Sequence, residues 1–357
     1  MNTAISLFSG AGGDTLGLET AGYKVTHFSE FSPDAIKTHQ ARFPDSILLQ
    51  HKGDPDITKL PDQVFEGIKA NLIFAGFPCQ GFSHAGKKKQ DDPRNELVHH
   101  FVRATRIIQP KWIIGENVPG LLSRTGRNPD TGEIESVIDI IKGLFQQIGY
   151  NIYYRVLDAS DFGVPQLRKR LFIIGCREEA EFPTLKTLDK VGLRPILEST
   201  LENAIPIHPP VGGSERYWIN IDDVKLEGTP HPNLVRLANG IRSLTPEERK
   251  ESDEKALVEE DGLLSYGKRS SSYHGEIVDP DKPSKTIICT YQSCPRLFVG
   301  LRKSDSHYLR TFTIPELAQI QGFPKDYVFH GKTAIQQIGN SVPPPVVKAL
   351  VEALVRK

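Results

Sequence analysis

Short apolar runs of strand length punctuate the first half of the chain: Ala4–Phe8, Val25–Phe28, Leu72–Ala75, Trp112–Ile114, Ile152–Val156 and Leu171–Ile174. Runs this short, bounded by turn residues, read as buried strands. Helical patterns lie between them. Ser32-Pro33-Asp34 offers an N-cap, a first-turn proline and an acid ahead of Ala35-Ile36. Ile134, Val137, Ile138, Ile141, Leu144, Phe145 and Ile148 keep the helical period, and Gly149 closes that run. Strand and helix in alternation predict a mostly parallel sheet covered by helices on both faces. In such sheets ligands collect at the carboxyl edge. The residues just after each strand are therefore the ones to read for chemistry.

After Cys176 the texture changes. Pro209-Pro210, Gly212-Gly213 and many charges without sustained periodicity predict a second, loop-rich region with a few strands. From Pro343 to Val355 the pattern is helical again, with Val346, Val347, Leu350 and Leu354 on one side, and this helix is expected to return to the first domain. A length of 357 residues suits one large domain or two ordinary ones. Charge is balanced, 44 basic against 44 acidic residues, so any nucleic-acid contact must come from a local concentration of Lys and Arg. Cys79, Cys176, Cys289 and Cys294 form no Cys-x-x-Cys pair, so no metal site is expected and the thiols suit a reducing cytoplasm. The segment Met1 to Gly10 does not read as a signal peptide, and no apolar run approaches the ~20 residues that span a bilayer.

Four strand ends carry chemistry. Phe8-Ser9-Gly10-Ala11-Gly12-Gly13-Asp14-Thr15 is a glycine turn between strand and helix, where the backbone can approach a nucleotide-like ligand closely. Thr15 stands where a strict dinucleotide fingerprint has its third glycine, which weakens a nicotinamide reading. Glu30, followed by Phe31, comes at the end of the second strand, where a carboxylate can accept ribose hydroxyls. Gly76-Phe77-Pro78-Cys79-Gln80 places a lone thiol at the carboxyl end of the Leu72–Ala75 run, the position of a nucleophile. The alternative is a small buried thiol, the usual state of a free cysteine. The following stretch to Arg94, with Ser83, Lys87, Lys88 and Lys89, is polar and basic, which suits either a phosphate backbone or plain solvent. Glu116, in Glu116-Asn117-Val118, is positioned to hydrogen-bond a heterocycle. In Gln166-Leu167-Arg168-Lys169-Arg170, Arg168 and Arg170 would share one face if the backbone is extended, and could orient an anion or a carbonyl oxygen.

In this order, these elements resemble the DNA (cytosine-5)-methyltransferases of bacterial restriction-modification systems. The later motifs match as well: Arg310-x-x-Thr313-x-x-Glu316, Gln321-Gly322-Phe323-Pro324 and Gln337-x-Gly339-Asn340-Ser341-Val342-Pro343. The resemblance implies an α/β, Rossmann-like S-adenosylmethionine-dependent methyltransferase domain over residues 1–180 and 333–357. A smaller, loop-rich target-recognition domain and hinge would span 181–332. It implies Cys79 as the thiol that adds to carbon 6 of a flipped cytosine, with Glu116 on ring nitrogen 3 and the exocyclic amine. Arg168 would contact the ring carbonyl, supported by Arg170. S-adenosyl-L-methionine would give its methyl group to carbon 5 and leave as S-adenosyl-L-homocysteine, held by Phe8, Gly10, Ala11, Gly12, Gly13, Glu30, Phe31, Asp56, Ile57, Pro78, Leu97, Asn340 and Ser341. A stacked base is out of reach of such chemistry, so the target must be flipped. Gln80 and Ser83 would fill the gap in the duplex, with Lys87, Arg94 and Thr286 as further DNA contacts.

The expected partner is double-stranded DNA, met by a monomer in a bacterial cytoplasm, at the nucleoid, with no membrane. A cognate restriction endonuclease acting separately fits the same resemblance. The competing readings are a tRNA cytosine-5 methyltransferase, whose Cys-Phe-Thr signature is absent here, and an inactive DNA-binding module of the same fold. A zinc deaminase would need a cysteine where Phe82 stands.

Overall fold

The computed structural model describes residues 2–78, 97–128, 131–178, 181–207, 215–243, 263–264 and 275–355. Its first half runs β1 (Asn2–Leu7), α1 (Gly13–Thr20), β2 (Tyr23–Phe28), α2 (Pro33–Arg42), β3 (Ile47–Leu48), β4 (Leu72–Ala75), α3 (Leu97–Ile108) and β5 (Trp112–Asn117). A hairpin of β6 (Thr125–Arg127) and β7 (Ile134–Ser136) follows, then α4 (Val137–Gln146), β8 (Asn151–Asp158), β9 (Gln166–Leu167) and β10 (Lys169–Cys176). Seven of these strands form one sheet in the order β3-β2-β1-β4-β5-β10-β8. The pairs from β3 through β5 are parallel, and β10 lies antiparallel to both of its neighbours.

Side chains alternate across this sheet as the period of two requires. Ile5, Ile73 and Ile113 point into a core shared with Phe101 of α3 and with Ile138, Ile141 and Phe145 of α4. Ala4, Leu72, Phe74 and Ile114 point the other way, to Leu18 of α1 and the terminal helix. Phe74, Phe101, Phe145 and Phe172 are fully buried. Each such side chain contributes roughly 1.5–3 kcal/mol by leaving water. The helical spacing begun at Ile134 overreaches: α4 starts at Val137, and Ile134 lies on β7, half exposed, paired with Arg127.

The second half contains β11 (Ile205–Ile207), β12 (Trp218–Asn220), α5 (Pro232–Ser243), β13 (Leu263–Leu264), β14 (Gly275–Ile277), β15 (Ser284–Lys285), β16 (Leu297–Lys303) and β17 (Ser306–Arg310). A second sheet has the order β11-β17-β16-β14-β13, with β12 also on β16. After it come α6 (Ile314–Ile320), α7 (Ala334–Asn340) and α8 (Pro344–Val355). Val346, Val347, Leu350 and Leu354 of α8 pack against the first sheet, whereas Ile338 of α7 packs with Leu317 and Leu301 in the second core. α8 lies so close to α1 that a Cβ on Gly17 would stand 2.6 Å from the Pro344 carbonyl oxygen. β15 pairs in parallel with β9, so the two halves share a short ribbon.

Candidate active site

The register of the first sheet brings its strand ends side by side. Leu7 pairs with Ala75, Ala75 with Gly115, and Glu116 with Phe172. The segments after β1, β2, β4 and β5 and before β10 therefore converge on one edge, the place where an open α/β sheet binds ligands.

The turn after β1 has left-handed backbone at Phe8 (φ 56°), Gly10 (φ 55°) and Gly12 (φ 85°). Ser29 and Glu30 hold its first half. Phe8 N–H donates to Ser29 Oγ (3.1 Å), Ser9 N–H to the Ser29 carbonyl (2.9 Å), and Gly10 N–H to Glu30 Oε2 (2.9 Å). Glu30 Oε1 accepts from the N–H groups of Phe31 (2.9 Å) and Ser32 (2.8 Å). Burial pushes the Glu30 carboxyl up, against the lowering effect of those three donors. Oε2 keeps a lone pair for one more donor. Beside it Phe31 is 73% exposed, a bare aromatic face at the sheet edge. Nothing stands within 4 Å of where a Cβ on Gly10 would lie, so the backbone there is open to a ligand. At Gly12 the close approach is to protein instead: a Cβ would meet Phe43 (2.7 Å), His39 (2.9 Å) and Tyr327 (3.2 Å). Ala11, Gly12 and Gly13 are buried. Thr15 is buried too, its hydroxyl 3.0 Å from His39 Nε2.

Asp56 Oδ1 accepts from both the N–H (3.0 Å) and the hydroxyl (2.8 Å) of Thr58. Ile57 is buried, and its carbonyl, with that of Leu60, accepts from Arg103 on α3 (2.9 and 2.7 Å). Leu97 opens α3 and packs on the first core. Asn340 is exposed at the end of α7, and Ser341 is buried with its hydroxyl donating to the Gln337 carbonyl (2.7 Å).

At the end of β5, Glu116 Oε1 is 3.0 Å from Arg170 Nε, and both side chains are mostly buried. Burial raises the Glu116 carboxyl above the usual range, and the guanidinium groups of Arg170 and Arg168 counter part of that rise. Asn117, one of the motif residues given no role above, donates from Nδ2 to the Phe77 carbonyl (3.1 Å) and so braces the turn that leads through Pro78. Cys79, Gln80, Ser83, Lys87 and Arg94 lie outside the described residues.

The two arginines do not lie on one unbroken strand. The strand breaks at Arg168, between β9 and β10, where its N–H donates to Asp158 Oδ1 (3.2 Å) and its carbonyl accepts from Ala159 N–H (2.9 Å). The Arg168 side chain is 2% exposed. Its Nη1 donates to the Ile287 carbonyl (3.1 Å), and its Nη2 to the carbonyls of Gly339 (2.8 Å) and Ser341 (3.2 Å). Burial pulls this guanidinium down to about 9, Arg170 adds to the effect, and Glu116 opposes it. Three backbone carbonyls hold the Arg168 guanidinium, while its buried Nε has no partner among the described residues. Arg170, expected only to support it, is the arginine at Glu116. Gln166 belongs to the same buried seam: its Nε2 donates to the Ile320 carbonyl (3.1 Å) and Gln321 Oε1 (2.8 Å), and its Oε1 accepts from Ile287 N–H (3.0 Å). Thr286 Oγ1 donates to the Leu167 carbonyl (2.7 Å) at the rim of that seam.

Residues the sequence reading passed over are therefore Asn117, Arg103 and Tyr327, whose hydroxyl donates to the Ala11 carbonyl (2.5 Å). The first stands inside a recognised motif. The other two act through backbone carbonyls, which leave no pattern in a sequence.

The family model for the C-5 cytosine-specific DNA methylase family matches residues 2–356. The chain is 33% identical to the Type II methyltransferase M1.HphI of Haemophilus parahaemolyticus, over 99% of this chain and 87% of the relative. It is 30% identical to the Type II methyltransferase M.DdeI of Desulfomicrobium norvegicum, over 98% and 88%. Among solved structures, a prophage-encoded E. coli protein described as a DNA modification methyltransferase superposes with a TM-score of 0.64 at 25% identity, covering 100% of this chain and 99% of that one. The Dnmt2 methyltransferase of S. pombe shares the fold, with a TM-score of 0.63 at 18% identity, over 100% and 99%.

Proposed function

The chain belongs to the C-5 cytosine-specific DNA methylase family, and from that premise we propose that it methylates carbon 5 of a cytosine flipped out of a specific duplex DNA sequence. The observation that carries the site assignment is the mostly buried Glu116–Arg170 pair at the sheet edge, next along β5 to Asn117, which holds the Phe77 carbonyl.

The residues fit S-adenosyl-L-methionine. Gly10 leaves open backbone, Glu30 keeps an unfilled lone pair for a ribose hydroxyl, and Phe31 offers an exposed ring for an adenine face. Phe8, Ala11, Gly12, Gly13, Asp56, Ile57, Pro78, Leu97, Asn340 and Ser341 complete the proposed set. When bound, the cofactor supplies an electrophilic methyl group on a sulfonium.

Carbon 5 of cytosine is a poor nucleophile, and the chain's own residues change that. The Cys79 thiolate adds to carbon 6, forming a C–S bond and moving the π electrons toward carbon 5. Glu116, whose carboxyl burial pushes above the usual range, hydrogen-bonds ring nitrogen 3 and so accommodates the charge that addition puts on the ring. Arg170 holds Glu116 in place, and Arg168 is proposed to contact the ring carbonyl with Arg170 supporting it. After substitution, loss of the carbon-5 proton returns the electrons, breaks the C–S bond and frees Cys79. Gln80, Ser83, Lys87, Arg94 and Thr286 are proposed DNA contacts.

We further assign catalysis to residues 1–180 and 333–357 and target recognition to 181–332. A monomer working on the nucleoid in a bacterial cytoplasm, beside a separate restriction endonuclease, is the setting we propose. Among the described residues no helix is long and apolar enough to cross a membrane.

Methyl-labelled cofactor tests this reading. Label should enter duplex bacterial DNA and be recovered as 5-methylcytosine after digestion, with none in a tRNA pool. Label in tRNA alone would select the RNA reading. DNA and cofactor binding without transfer would select the inactive module.

A further inference from the structure

The glycine turn needs external support. Phe8 is a non-glycine residue in left-handed backbone, a conformation that L side chains rarely adopt. Ser29 and Glu30 hold Phe8, Ser9 and Gly10 from the β2 side. The second half is met from another part of the chain, the segment between α6 and α7. There Tyr327 Oη donates to the Ala11 carbonyl (2.5 Å) and lies 3.2 Å from where a Cβ on Gly12 would stand.

The tyrosine is itself firmly seated. Its ring packs on Phe323 (4.6 Å between centroids) and Phe329 (5.1 Å), with the Arg42 guanidinium 5.6 Å over its centroid. Arg42 in turn pairs with Asp326 (3.1 Å). Farther along, Asp34 Oδ2 on α2 accepts from Lys332 N–H (3.0 Å), Thr333 N–H (3.2 Å) and the Thr333 hydroxyl (2.8 Å), and His330 N–H donates to Thr38 Oγ1 (2.8 Å). Burial keeps the phenol protonated and therefore a donor.

We propose that Tyr327 is a positioning residue for the cofactor: its hydroxyl fixes the Ala11 carbonyl, and with it the shape of the turn that receives S-adenosyl-L-methionine. The inference rests on reading that turn as the cofactor site. It makes the stretch from Gln321 to Thr333, whose family motif had no assigned role, part of the cofactor-binding apparatus.

The test is Tyr327→Phe in the full chain, which keeps the ring and its packing. Calorimetric titration with S-adenosyl-L-homocysteine should show binding weakened about three- to ten-fold, the loss of one buried hydrogen bond. KM for S-adenosyl-L-methionine should rise in step, with kcat at saturation and DNA affinity unchanged. Equal affinity in variant and wild type overturns the proposal, and a lowered melting temperature alongside it would mark the contact as structural only. Failure of the wild type to bind the ligand at all would overturn the reading of the site, and the assignment of Tyr327 with it.

Discussion

Asp14 sits in the first turn of α1, 3% exposed, with the Ser6 hydroxyl donating to it and Ser9 Oγ 3.5 Å away. Burial dominates over those donors and pushes its carboxyl from 3.8 up to about 7. Protonation therefore favours the folded state. The stability linked to Asp14 is fully present below its ordinary value of 3.8 and is lost as pH rises through about 7. A shift of this size corresponds to a loss on the order of 4 kcal/mol. Asp14→Asn, which cannot ionise, should melt higher than the wild type at pH 8, with the gap narrowing toward pH 4. A gap that stays constant across that range in thermal melts contradicts the assignment. Asp14 was legible only as an acid at a helix start. Its burial follows from the close approach of α1 to the chain around Val342, which nothing local announces.

At the scale of elements, the apolar runs gave the right strands because strands buried in the middle of a covered sheet need little more than an uninterrupted apolar stretch. Leu72–Ala75 is reproduced residue for residue, Ala4–Phe8 becomes Asn2–Leu7 with Phe8 left in the turn, and the other runs extend by one to three residues at their ends. Where the reading erred, a long-range partner had overruled a local period. Ile134 keeps helical spacing but pairs across the β6–β7 hairpin, and Arg168 interrupts the alternation because Asp158 and three distant carbonyls claim it. That break leaves Arg170 at Glu116 and Arg168 on backbone carbonyls. Arg170→Met should lower kcat by about 100- to 1,000-fold, the scale of losing one stabilising contact in a transition state, with little change in melting temperature. Arg168→Met should instead lower the melting temperature strongly, since each buried carbonyl left unpaired costs about 1–3 kcal/mol. Measuring kcat and thermal melts for both variants checks the pair, and the reverse pattern would contradict it.

Across the whole molecule, the two sheets are joined at a few specific places: the β9–β15 ribbon, the Gln166–Arg168 seam and the segment that carries Tyr327. The Arg310-x-x-Thr313-x-x-Glu316 motif braces the second region. Arg310 and Glu316 are fully buried and doubly bonded (2.7 Å each), with Glu316 also closing a capping box on Thr313. Motif order was legible in the first half, because its motif residues cluster at the ends of sequential strands. The second sheet was not legible, since β12 and β14 both pair with β16, far along the chain, and short strands of that kind carry no period of their own. The central claim, that Cys79 is the nucleophile for which Glu116, Arg170 and the glycine turn are arranged, is tested most directly with duplex DNA in which 5-fluorocytosine replaces the target base. The fluorine cannot leave as a proton does, so the thiol should stay attached. The account predicts a cofactor-dependent covalent complex whose cross-link maps to Cys79 and disappears in Cys79→Ala. Folded protein with bound cofactor that yields no adduct, or an adduct that survives in Cys79→Ala, would contradict it.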